Sequence, residues 1–119
     1  MKIVNTDDIP LISMNLPIMT GPDVTLKDIS PESKVFNMAI VHFPKGVRNK
    51  FHTHTYDQVM IGTAGKGIVA TEDEEREVGL NDVIWIPAGE KHWHGASKDS
   101  EFSHLFVQHR DSITEQLED

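Results

Sequence analysis

The feature that most restricts how this chain can fold is a succession of short strand-like runs, each closed by glycine or proline. Val35 to Phe43 ends at Pro44-Lys45-Gly46, and Gln58 to Thr63 ends at Ala64-Gly65-Lys66-Gly67. Ile68 to Thr71 and Arg76 to Val78 flank the acidic stretch Glu72-Asp73-Glu74-Glu75, which reads as a solvated hairpin tip. Asp82 to Ile86 ends at Pro87-Ala88-Gly89, and His92 to Ala96 and Phe102 to Gln108 follow. Runs this short, at near-regular spacing with turn residues between them, predict an all-β sandwich or barrel. No strand–helix alternation is present, which excludes a parallel nucleotide-binding sheet. Gly62, Gly65 and Gly67 lead into no helix that could cradle a phosphate, and read as turn glycines.

The flanks differ from this middle. Residues 1–30 carry Pro10, Pro17 and Pro22 among Ile9, Leu11, Ile12, Leu16, Ile18 and Leu26. Proline at this density breaks helices and confines strands to sheet edges. The segment is expected to be an extended, proline-rich N-terminal arm with one or two edge strands, packed on the domain or on a second subunit. Residues 31–110 form the barrel and 111–119 a tail. In that tail Ser112-Ile113-Thr114-Glu115 matches a capping box and Ile113 and Leu117 lie four apart, which predicts a short C-terminal helix.

Composition narrows the class further. With 119 residues the chain supports one core. Eleven Lys and Arg against 19 Asp and Glu give a net charge of -8, a surface that repels phosphate backbones and anionic lipid. Neither a nucleic acid nor a membrane is expected as partner. Cysteine is absent, which removes disulfide scaffolds, thiolate metal sites and cysteine nucleophiles, and fits a reducing compartment. Apolar runs such as Val83-Ile84-Trp85-Ile86 are too short to span a bilayer, and the first eight residues turn acidic before a signal-peptide core could form. A cytoplasmic location is expected.

Histidine is the outlier: seven residues, all between His42 and His109. His52 and His54 flank one threonine, so an extended chain sends both side chains from the same face. His92 and His94 repeat the spacing, and turn residues precede each pair. Such pairs on strands can present imidazoles to one metal ion. His42 and His109 have no partner at ligand spacing and read as surface or interface residues, and Trp85 and Trp93 as core or interface anchors.

Together these residues resemble a known family. Gly46, His52-Thr53-His54, Gln58 and Gly65 match the first cupin motif, and Asn81-Asp82-Val83-Ile84-Trp85-Ile86-Pro87-Ala88-Gly89-Glu90-Lys91-His92 the second. The sequence departs from the general pattern where Gln58 replaces glutamate, Asn81 replaces the glycine that opens the second motif, and Ala96 stands where asparagine is common. The glutamine, with His92-Trp93-His94-Gly95-Ala96 and Ser103-His104-Leu105-Phe106-Val107-Gln108, is similar to the single-domain cupins with three histidines and a glutamine. That group includes bacterial manganese-dependent hydroxynitrile lyases and proteins described as close to carboxymuconolactone decarboxylases.

The resemblance implies a jelly-roll β-barrel holding one divalent metal, manganese first, with iron, cobalt, nickel or zinc fitting the same donors. It implies His52, His54, Gln58 and His92 as ligands, and His94, His104 and Gln108 facing the substrate. Ala39 and Val41 would stand on the pocket wall. The departure at Thr55-Tyr56-Asp57, where the lyases usually have a proline-containing link, bears on the substrate more than on the metal. Three imidazoles and a carboxamide leave the ion's charge uncancelled, which favours Lewis-acid work. In the last strand His104, Phe106 and Gln108 share one face, which the resemblance implies points inward, so that either His104 or His94 would shuttle a proton beside the metal. The reading is a metal-dependent lyase acting on a small oxygenated substrate, homodimeric through the N-terminal arm, with a metal-dependent dioxygenase or a non-catalytic small-molecule-binding cupin as alternatives.

Overall fold

Alternation of inward apolar and outward side chains draws the strands of this chain into one curled antiparallel sheet. The computed structural model describes residues 1–119, with ten strands and no helix beyond the 3-10 turn Thr6–Asp8. The strands are β1 (Ile12–Ser13), β2 (Thr25–Asp28), β3 (Phe36–Phe43), β4 (His52–His54), β5 (Gln58–Thr71), β6 (Glu75–Gly79), β7 (Val83–Ile86), β8 (His92–Ala96), β9 (Phe102–His109) and β10 (Thr114–Gln116). They run β1-β2-β3-β9-β5-β8-β4-β10 across the sheet, and β6 and β7 also pair with β5. The all-β jelly roll implied by the resemblance is the observed architecture. No helix is long and apolar enough to cross a membrane.

Strand β5 closes the structure. Its first residues pair with β9 and β7, and its last with β8 and β6, so one strand belongs to both halves of the curl. The glycine-rich stretch read as a turn is therefore a bend within a single strand. A register shift between Gly62 and Ala64 and a left-handed backbone at Gly65 (φ 72°) let the chain change direction without leaving the sheet. Asn81 adopts φ 68° in the turn before β7, a conformation asparagine tolerates better than most side chains.

Between the two halves lies the core: Val24, Phe43, Met60, Ile86, Phe102 and Phe106, with Ala39 and Val41. On β3 and β9 the buried positions are Ala39, Val41 and Phe43, and Phe102, His104 and Phe106, in strict alternation. Trp93 is buried under the Arg48 guanidinium, 4.4 Å from its ring centroid, whereas Trp85 is largely exposed. The Glu72–Glu75 stretch is the exposed tip between β5 and β6. In the N-terminal segment β2 pairs with β3 of the same chain and β1 with β2.

The tail departs from expectation. Residues 111–119 contain no helix; Thr114–Gln116 form β10, paired antiparallel with β4 as Thr114↔His54, Glu115↔Thr53 and Gln116↔His52. Nine residues cannot sustain a helix in water without packing, and Ile113 and Leu117 stay exposed, with no surface to dock on. The free edge of β4 offers backbone partners instead: Thr55 N–H donates to Ile113 O, and Leu117 N–H donates to Phe51 O. Tertiary pairing overrides the local capping signal.

Candidate metal centre

Strands β4 and β8 pair at one register point, His52 opposite His92. The two His-x-His segments therefore meet side by side, and their alternation sends His52, His54 and His92 to the interior. Ligand nitrogens of these three lie within 4.8 Å of one another, and all three residues are buried. Such a cluster could hold a metal ion.

The hydrogen bonds at the far side of each ring set its tautomer. His52 Nδ1–H donates to the Lys50 carbonyl (2.6 Å), and His92 Nδ1–H to the Glu90 carbonyl (2.9 Å). A carbonyl can only accept, so in each neutral ring the lone pair is on Nε2. His54 Nδ1 is 2.8 Å from Thr114 Oγ1, a partner supplied by β10. His54 Nε2, His92 Nε2 and Gln58 Oε1 are buried with no hydrogen-bond partner. Buried polar atoms are rarely left unpaired, and a divalent ion among the three imidazoles would satisfy His54 Nε2 and His92 Nε2. The residues present fit the metal.

Electrostatics point the same way. Burial, then the neighbouring His92 charge, lowers the His52 pKa to about 3, and the same two causes bring His54 to about 4. Burial also lowers His92. At neutral pH the rings are unprotonated, the form that binds metal.

The remaining sequence-derived candidates line the same interior. His94 follows on β8, and His104 on β9 is 4.9 Å from it between ring centroids. Burial lowers His104 to about 4, and neither of its ring nitrogens has a partner. Gln108 lies opposite Gln58 in the β5–β9 register, and its Oε1 is also unpaired. Val41 pairs with His104 and Ala39 with Phe106. His42 and His109 lie apart from the cluster: His42 Nδ1 is 2.6 Å from Ser103 Oγ, and His109 stacks on Tyr56.

Three residues that support the site are not among the candidates the sequence points to. Thr114 reaches His54 only because the tail forms a strand. Asp57 joins the two motifs, its carboxylate accepting from Trp85 Nε1–H (3.1 Å) and from Ala88 N–H (2.8 Å). These bonds hold the Asp57 carboxyl below the usual range, and they tie the link after His54 to the turn before His92. Asn49, buried beside His94, is the third.

A jelly roll with three inward imidazoles on adjacent strands defines a small β-barrel protein with a potential metal centre. The chain belongs to the cupin domain family, whose model matches residues 39–108. It is 39% identical over 82 residues to the (R)-mandelonitrile lyase of Granulicella tundricola, a match covering 68% of this chain and 63% of the lyase. The chain thus spans a little under two thirds of that relative. A cupin-like protein from Thermotoga maritima superposes with a TM-score of 0.83 at 28% identity, over 89% of this chain and 84% of that one. The polyketide cyclase RemF from Streptomyces resistomycificus superposes with a TM-score of 0.83 over 100% and 88%, and at 18% identity shares the fold alone.

Proposed function

We propose that this protein is a metal-dependent cupin enzyme of the lyase type, cleaving a C–C bond in a small oxygenated substrate, with cyanohydrins the first class to test. The observation that carries this reading is the convergence of His52, His54 and His92 with the neutral Gln58 beside them, in a chain related to a mandelonitrile lyase. A divalent ion held by these four side chains would supply Lewis acidity toward a substrate oxygen; manganese is the first choice, and iron, cobalt, nickel and zinc suit the same donors.

The chain's own groups would do the rest. Ala39 and Val41, paired with Phe106 and His104 across the β3–β9 register, would form the wall against which a small substrate is held. His104, neutral at pH 7, takes the hydroxyl proton on an unpartnered ring nitrogen. The carbon–oxygen bond then becomes a carbonyl, the C–C pair departs with cyanide, and the same proton returns to give hydrogen cyanide. Gln108 offers its carboxamide to the substrate across from Gln58. Phe43, Phe102 and Phe106 keep water from this interior.

Mandelonitrile cleavage by the zinc- or manganese-loaded protein, followed without oxygen, tests the reading. Benzaldehyde should form with either ion. Activity that requires oxygen and a redox-active ion would replace the lyase by a dioxygenase, and ligand-induced thermal stabilisation without product would make it a binding protein. Gln58→Glu should bind metal more tightly and turn over more slowly, because the added carboxylate cancels charge that the reaction uses.

We also propose a homodimer. The outer face of β3, β9, β5 and β7 carries two uncharged rows, Ile40–Leu105–Ile61–Val83 and Met38–Val107–Val59–Trp85, in which Val83 and Trp85 are 66% and 63% exposed. A chain of net charge -8 approaches its own copy most readily where charges are missing. Light scattering should give twice 13.4 kDa, and Trp85→Glu should halve it; a wild-type monomer would overturn the assignment.

A further inference from the structure

We infer that Asn49 is a positioning residue that fixes His94 as its Nδ1–H tautomer, so that His94 meets a ligand in the interior as a hydrogen-bond donor and not as a base. The consequence for catalysis rests on the lyase reading above; the tautomer does not.

Gly95 brings Asn49 to this place. The chain around Arg48 bridges to Gly95 of β8, and a Cβ at Gly95 would come within 2.3 Å of Arg48 Cα. Only a residue without a side chain allows this approach, which sets the next residue, Asn49, against His94. Asn49 is 6% exposed and bonded to His94 three times. Its N–H donates to the His94 carbonyl (3.0 Å), and its Oδ1 accepts from His94 N–H (2.9 Å). This second bond orients the amide, because only the oxygen can accept from a backbone N–H. The other amide atom is then Nδ2, which has hydrogens and no lone pair to offer.

Asn49 Nδ2 lies 3.2 Å from His94 Nε2. Nε2 must therefore present its lone pair, and the proton of the neutral ring sits on Nδ1. His94 Nδ1 is buried and has no partner in the protein. The ring is enclosed by Phe43, His52, His92 and His104, with centroids 4.9 to 5.9 Å away. The one uncommitted polar atom of His94 is thus a donor inside the site. It matches an acceptor on the ligand, such as a carbonyl oxygen or a nitrile nitrogen, and it leaves proton acceptance to His104.

Long-range nitrogen–proton correlation spectra of ¹⁵N-labelled, zinc-loaded protein read the tautomer directly. His94 should show a protonated Nδ1 and a bare Nε2. In Asn49→Asp the carboxylate can accept from both the backbone N–H and the ring, so the proton should move to Nε2. Zinc stoichiometry should hold, while kcat for mandelonitrile falls about a hundredfold with KM little changed, as expected for a misdirected donor. A bare Nδ1 in the wild type, or an unaltered tautomer in a folded Asn49→Asp protein, would overturn the inference. Should the variant fail to fold, the wild-type spectrum decides alone. The expected tautomer in a protein that cleaves no cyanohydrin would sink the lyase reading and leave the role of Asn49 standing.

Discussion

An imidazole binds a divalent ion only through a nitrogen without a proton, so the bonds behind each ring matter as much as the ring. At His52 and His92 those bonds go to the carbonyls of Lys50 and Glu90, two residues back in each case. That local geometry repeats with the His-x-His spacing, which is why the pairs were legible in the sequence. His52→Ala removes a central member of the cluster, and the purified variant should carry almost no metal by elemental analysis; full stoichiometry would contradict the assignment. His104 holds no place among the three clustered imidazoles. His104→Ala should keep its metal while kcat for mandelonitrile drops about a hundredfold, the scale of a lost general base. An unchanged rate would remove it from the reaction. Asn49 was invisible from sequence, because an asparagine in the link between β3 and β4 has no pattern to mark it as a neighbour of a residue 45 positions away.

Strands act as rulers here. The β4–β8 register, fixed at His52↔His92, turns two distant His-x-His segments into one cluster, and β10 adds Thr114 behind His54. Thr114→Val keeps the shape of that side chain and removes the partner of His54 Nδ1. Metal affinity should fall about tenfold in a competition titration, with the fold intact. Gly95→Ala belongs to the same scale. Its added Cβ meets the backbone of Arg48, so the segment bearing Asn49 must move off β8. The expected result is a lower melting temperature, together with a His94 tautomer no longer set by Asn49.

The assembled fold gathers five histidines in one interior, and this concentration makes the whole molecule sensitive to acid. Burial takes the pKa values of His52, His54 and His104 to about 3, 4 and 4 from a reference of 6.5. As pH falls below 6.5, the unfolded chain binds protons that the folded chain refuses, so equilibrium shifts toward unfolding. Stability is complete above about pH 6.5 and declines as pH approaches 4. The melting temperature of chelator-treated protein, measured between pH 8 and 4, should be flat at first and then fall. Saturating zinc should hold it up until protons displace the ion. A melting temperature that rose on acidification would show that these rings are not buried in neutral form.

The sequence alone determined the all-β class, the two histidine pairs, Gln58 and the second motif, because each is carried by spacing of two or by residues close along the chain. It also led to a C-terminal helix that does not form. Only the tertiary structure decided that the tail would pair with β4, that one long strand would serve both halves of the curl, and that Thr114, Asp57 and Asn49 would stand behind the site. Those outcomes depend on which strand edge is free and how closely two backbones can approach. Both are properties of segments far apart in the chain, which a local pattern of residues does not encode.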